Sequence, residues 1–181
     1  TKEQMGQRLV IAPTMNYIER AFNHSKYGEY SSAPAMDISI PTIHDASLAP
    51  DGKHVMSVIV QFAPYGLEGG WNDTKKETFK ALVIDRIADY APGLKEKIVA
   101  SELLTPVDIE ERFHIHGGHW HHGEISLDQI LTMRPFPGSS QYGTSVDGLY
   151  LCSAGTHPGG GVMGLAGHNA AKEILKRGKS A

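Results

Sequence analysis

The residues Gly155–Ala171, GTHPGGGVMGLAGHNAA, make a glycine-rich turn that leads into a helix-like segment near the end of the 181-residue chain. GGGVMG matches the spacing G-x-G-x-x-G and follows the apolar run GLYLCSAG. In a dinucleotide-binding βαβ unit, that fingerprint is followed by another strand and by an acidic residue about 20 positions on. No such strand follows in these 181 residues, so a self-contained dinucleotide site is not expected. What the pattern retains is a helix N-terminus with free N–H groups and partial positive charge, suited to anions or electron-rich oxygens. Gly164 and Gly167 carry no side chain and let a flat group or another backbone lie close to the helix. Each helical glycine costs about 1 kcal/mol relative to alanine, so several together call for a packing or binding reason.

The length suits one domain with a real core, with room for an appendage. A net charge of −3 gives no general pull toward nucleic acid or an anionic membrane, and no apolar run approaches a bilayer span. The single cysteine, Cys152, excludes an intramolecular disulfide, and its apolar setting predicts a small buried hydrophobe. The chain begins with Thr1 and not Met, which reads as processing or as a piece of something longer.

Elements follow from pattern and punctuation. RLVIAPT reads as a strand, and Thr14 caps a helix that ends at Gly28, with Tyr17, Ile18, Ala21 and Phe22 on one face. Met36, Ile38 and Ile40 alternate with polar residues in a half-buried strand bounded by Pro41. Pro50, Asp51 and Gly52 make a tight reversal into a second hairpin strand, Val55–Pro64. Phe79, Leu82, Val83, Ile87 and Tyr90 repeat at helical spacing within Asp73–Gly93, and Pro92 and Gly93 stop that helix. Glu96–Pro106 reads as a strand, and Thr105 with Pro106 opens a short helix. The chain then becomes loop-rich, with one helical turn around Leu127–Leu131, before the strand GLYLCSAG and a last helix opened by Gly159–Gly161. The expectation is an α/β (α+β) unit whose mixed sheet is largely antiparallel.

Three further features carry chemistry. Five of the 10 histidines lie in HIHGGHWHH, His114–His122. Such spacings suit Zn or Fe, with Glu124 or Asp128 as a carboxylate, and equally suit a loop facing solvent or a cleft. No metal site is assigned. Asp128 and Arg134 are placed to pair, and Arg134 before Pro135 is extended; a salt bridge and a site role both remain open. No G-x-S-x-G nucleophile motif is present.

At GLYLCSAGTHPGGGVMGLAGHNAA the chain resembles the C-terminal signature of phytoene desaturase-like FAD-dependent oxidoreductases, in the pyridine nucleotide-disulfide oxidoreductase domain-containing branch. HGEISLDQILTMRP, PTIHDASLAPDGKHVMSVIVQFAPY and YAPGLKEKIVASELLTPVDIEERF are also similar to that branch, so the resemblance covers nearly the whole chain. It implies that residues 1–147 are part of a substrate-binding domain. It implies that 148–181 are a terminal strand–turn–helix that completes the FAD site, the N-terminal Rossmann FAD-binding region being absent. It assigns Gly155, Thr156, His157, Pro158, Gly159, Gly160, Gly161, Val162 and Met163 to the cofactor, with the amides of Gly161, Val162 and Met163 directed at the flavin ring. Related amine oxidases carry an acidic residue after the corresponding glycine. Here Thr156 follows Gly155, so an amine substrate is not implied.

The expected function is therefore part of an FAD-dependent desaturase or dehydrogenase that moves hydride from substrate to flavin, incomplete as a catalyst by itself. His119, His121, His122 and Arg134 are candidates for the substrate cavity, and no catalytic base is assigned. Expected partners are a small apolar or amphipathic substrate, the FAD-binding region in cis or as a separate chain, and a second copy in a homo-oligomer. Nucleic acid and membrane are not indicated, and the expected location is cytoplasmic. The alternatives are a non-enzymatic binding module of the same fold without flavin and a His-rich metal-binding protein.

Overall fold

Met36 and Ile38 alternate with Asp37 and Ser39, and the alternation becomes the middle strand of a three-stranded antiparallel sheet. In the computed structural model, which describes residues 2–119, 121–123, 126–160 and 163–178, β1 is Leu9–Ile11, β2 Met36–Ser39 and β3 Ser57–Val60. Leu9 and Ile11 lie opposite Ile38 and Met36, and Val58 and Val60 lie opposite the same pair from the other side. A period of two thus gathers one apolar face from all three strands. The chain forms two compact units, Thr1–Thr105 and Pro106–Ala181.

In the first unit, α1 (Lys2–Met5) precedes β1, and α2 (Met15–Ser25) follows it. Thr14 is the N-cap as its sequence position implies, its hydroxyl accepting the Tyr17 amide at 3.1 Å. Ala21 is fully buried, Phe22 meets Phe62 edge-on at 5.2 Å, and the Tyr17 hydroxyl donates to the Pro34 carbonyl at 3.1 Å. Ile18, expected on the packed face, is exposed.

The connection from β2 to β3 is not a tight hairpin. It is an excursion with two 3-10 turns, Pro41–Ile43 and Ala46–Leu48, and the expected reversal at Pro50–Gly52. Buried Thr42 closes its base, its hydroxyl accepting the Val55 amide at 3.2 Å and pairing with His54 Nδ1 at 3.1 Å.

Helix α3 (Asp73–Ala88) is capped by Asn72, which accepts the Lys75 amide at 2.9 Å. Phe79, Val83 and Ile87, one turn apart, form the core with Ile11, Met36 and Ile38. Tyr30 lies against Phe79 at 4.4 Å and stacks with Trp71 at 5.8 Å, while the Trp71 indole donates to the Pro64 carbonyl at 2.9 Å. Tyr90 lies past the helix and is exposed.

The strand expected over Glu96–Pro106 does not form. Lys95–Lys97 is a 3-10 turn, Val99 is 76% exposed, and no ladder partner reaches this run among the described residues. An apolar run makes a strand only where another strand pairs with it.

The second unit begins with α4 (Pro106–Phe113) and ends with α5 (Leu165–Gly178). Gly118 has φ +65°, and a Cβ there would overlap the Pro106 carbonyl, so only glycine permits this approach to α4. Single 3-10 turns at Leu127–Gln129 and Leu131–Met133 replace the one helical turn expected there. The strand expected at GLYLCSAG reduces to one antiparallel bridge, Gly143 to Tyr150. Cys152 is consequently exposed and not buried. Among the described residues, no helix is long and apolar enough to cross a membrane.

Replacing Phe79 with alanine should lower the stability of the first unit by about 3–5 kcal/mol, seen as a lower denaturant midpoint at unchanged slope. Asp37 supplies a pH dependence. The Arg8 guanidinium hydrogen-bonds its carboxylate through Nε at 2.7 and 2.6 Å, and through Nη2, and holds it below its ordinary value. A carboxyl lowered by folding stabilises above its unfolded pKa of about 4 and loses that contribution as pH falls through the lower folded value. Stability of the first unit should therefore fall below about pH 4, and Asp37→Asn should flatten that part of the profile.

Candidate functional site

A guanidinium can be buried only if its five N–H groups find acceptors. Arg134 is 4% exposed, and backbone carbonyls take that role. Its Nε donates to the Gln129 carbonyl at 2.8 Å. Its Nη1 donates to those of His121 and Ala154 at 2.9 and 2.7 Å, and Nη2 reaches that of Gly123 at 3.4 Å. Arg134 is extended as expected, with φ −91° and ψ 142°. The expected Asp128–Arg134 pair is not made. The Asp128 carboxylate accepts the Ser126 hydroxyl two residues away, which holds it below its ordinary value. Arg134 instead ties the histidine loop to the start of the glycine-rich turn.

That turn is closed by its own residues. The Thr156 hydroxyl donates to the Ser153 carbonyl at 2.8 Å, the Ser153 amide reaches back to the same hydroxyl at 3.2 Å, and Thr156 is 3% exposed. The Gly159 amide donates to the Thr156 carbonyl at 2.6 Å. A Cβ on Gly160 would meet Ala154 Cβ at 3.1 Å and His121 Nδ1 at 3.2 Å, so this glycine admits the histidine loop. A Cβ on Gly155 would lie 3.9 Å from His122 Cβ, an ordinary contact that does not by itself require glycine.

Helix α5 starts at Leu165, later than the glycines suggested. Met163 precedes it and is 70% exposed; Gly161 and Val162, expected at the cofactor, lie outside the described residues. Gly164 has φ +67°, a turn conformation that favours glycine. Among the described residues, a Cβ on Gly164 or Gly167 would meet nothing within 4 Å. Among the described residues, Gly164 and Gly167 thus leave space beside the first turn of α5, whose amides have no partner within the helix.

One face of α5 is docked: Ala166 and Ala170 are buried, and the Arg177 guanidinium lies 5.6 Å from the Tyr150 ring centroid. Tyr142, which the sequence reading passed over, joins this face to the glycine turn. Its hydroxyl donates to the His157 carbonyl at 2.8 Å and accepts from Asn169 Nδ2 at 2.9 Å. The signal in the sequence was slight, a tyrosine in the polar loop SSQYG and an asparagine in a small-residue helix.

The histidines are dispersed in role. His116 pairs with Glu110 at 3.0 Å, His119 Nδ1 accepts the His121 amide at 3.2 Å, and the His119 and His121 rings lie 5.7 Å apart. His119 and His122 are exposed and His121 is half-buried. Among the described residues, no three His, Cys, Asp or Glu side chains gather to hold a metal ion. Glu124 lies outside the described residues. The described cavity, of about 310 Å³, is in the first unit between Gly6, Arg8, Asp37 and His44.

No protein-family model matches the chain. It is 46% identical over 161 residues to pyridine nucleotide-disulfide oxidoreductase domain-containing protein 2 of Mus musculus, covering 88% of this chain and 28% of that protein. It is 32% identical over 143 residues to a neurosporene-forming phytoene desaturase of Rhodobacter capsulatus, covering 77% of this chain and 26% of the desaturase. A lycopene-forming phytoene desaturase of Pantoea ananas is 26% identical over 153 residues, 83% of this chain and 29% of its own length. The chain thus spans little more than a quarter of the relatives it matches.

Arg134→Lys keeps the charge and loses the planar fork, leaving the carbonyls of Gln129, His121 and Ala154 short of donors. The second unit should lose about 2–4 kcal/mol, measured as faster hydrogen exchange across residues 121–160 with the first unit unchanged.

Proposed function

Because the chain belongs to the phytoene desaturase-like oxidoreductases, we propose that it is the part of an FAD-dependent desaturase or dehydrogenase that closes one edge of the flavin site. When bound, the flavin would accept hydride from a C–H bond of a small apolar or amphipathic substrate. The rest of the cofactor would be held by an FAD-binding region outside this chain.

The observation that carries the reading is at the start of α5: among the described residues, Gly164 and Gly167 leave open space beside the first-turn amides. This arrangement fits the polar edge of a flat ring. Such amides, fixed in advance, would stabilise negative charge as it develops there. Met163 stands at this entrance, with Gly161 and Val162 beside it in sequence.

The remaining residues divide the work. Gly155, Thr156, His157, Pro158, Gly159 and Gly160 form the turn that brings the chain to the ring. Thr156 acts by closing that turn, since its hydroxyl is engaged with Ser153. Arg134 holds the turn from behind and does not reach substrate, its guanidinium being taken up by carbonyls. His119 and His122, both exposed, remain the candidates for contact with substrate.

The full-length protein should purify with a visible flavin band, or acquire one when FAD is added. Gly167→Leu tests the edge without weakening the fold, because leucine gains about 0.5–1 kcal/mol of helix propensity over glycine and points into open space. FAD occupancy should fall about ten-fold while thermal stability of the apoprotein is kept or raised. Full-length protein that remains colourless in excess FAD would leave a flavin-free binding module as the better reading.

A further inference from the structure

Tyr142 adopts φ +69°, a left-handed backbone that a bulky aromatic residue rarely takes, and it is only 6% exposed. Its backbone is held on both sides. The Tyr142 amide donates to the Ser139 carbonyl at 3.2 Å, and its carbonyl accepts the Leu151 amide at 2.8 Å. The surrounding loop thus forces a conformation that ordinary packing of a tyrosine does not need.

What the conformation achieves is the placement of one hydroxyl. A phenol offers one donor and acceptor lone pairs, and here both kinds are used. The proton goes to the carbonyl of His157, next to the Pro158–Gly160 turn, and a lone pair receives Asn169 Nδ2 on α5. Loop and helix start form the two sides of the edge described above, and a single oxygen joins them. Arg134 fixes the far end of the turn at Ala154, so the His157 carbonyl is where its near end is set.

We propose that Tyr142 and Asn169 are positioning residues for the flavin, a latch that sets the glycine turn against the N-terminus of α5. The inference rests on the flavin reading of this edge. Neither side chain needs to touch the ring. Their effect passes through the His157 carbonyl to the turn, and through Asn169 to the helix amides.

The test uses the full-length protein, titrated with FAD. Tyr142→Phe keeps the ring and its packing and removes only the bridge; Asn169→Leu removes the other end. Each should weaken FAD binding about five- to ten-fold, the effect of losing one or two hydrogen bonds. Each should also shift the visible absorption band and reduction potential of the bound flavin, the potential moving to more negative values. The double variant should be little worse than either single one, because one bridge has two ends. If Tyr142→Phe proves too unstable to purify, Asn169→Leu alone decides the matter. Unchanged affinity, spectrum and potential in a variant whose melting temperature has fallen would show a purely structural bond and overturn the latch, with the flavin reading intact. Wild-type protein that takes up no FAD would overturn both, and does so before any substitution is made.

Discussion

The second unit depends on a buried cation held by backbone dipoles. Among its described residues the buried set is Arg134, Ser139, Tyr142, Thr156, Ala166 and Ala170, too little apolar surface for a conventional core. Arg134 supplies what that core does not. Its rigid fork gathers carbonyls from segments distant in sequence, and each bond can form only if all the others are in register. The energetic consequence is asymmetric: the network contributes modestly when whole, and removal of its centre leaves several polar groups unsatisfied at once. Thr156 and Tyr142 extend the same logic toward the C-terminus, one closing the turn and the other fastening it to α5.

The first unit is stabilised in the opposite manner. Phe79, Val83 and Ile87 on α3 meet the inner faces of β1 and β2, and Tyr30 and Trp71 cover the edge. Burial of this kind is non-directional and tolerates adjustment, whereas hydrogen-bond geometry does not. A loop-rich unit held by directional bonds is suited to present backbone in a defined position. That is what the proposed flavin edge, built from amides and carbonyls, would require.

The glycines of the C-terminal stretch have different tasks. Gly160 makes room for the histidine loop, and Gly164 takes the turn conformation. Gly167, on the helix with open space beyond it, has no internal packing reason in the described unit. A single spacing pattern therefore covered internal packing, backbone conformation and open approach, and only the surroundings of each Cα separate them.

By itself the sequence determined the elements whose causes are local. The Thr14 cap, the alternation of Met36 and Ile38, the helical repeat from Phe79 to Ile87 and the reversal at Gly52 all appear where pattern and punctuation put them. It also determined the family, through residues spread along most of the chain. Tertiary structure decided whatever needs a partner. GLYLCSAG and the run after Glu96 are apolar enough for strands, but among the described residues a single bridge reaches the first and no strand pairs with the second, and Cys152 is exposed. The assignment of Arg134 to carbonyls and not to Asp128, and the left-handed backbone of Tyr142, were equally beyond the sequence. Propensity and periodicity act over a few residues, whereas acceptors for a guanidinium or a phenol come from segments that only the folded chain brings together.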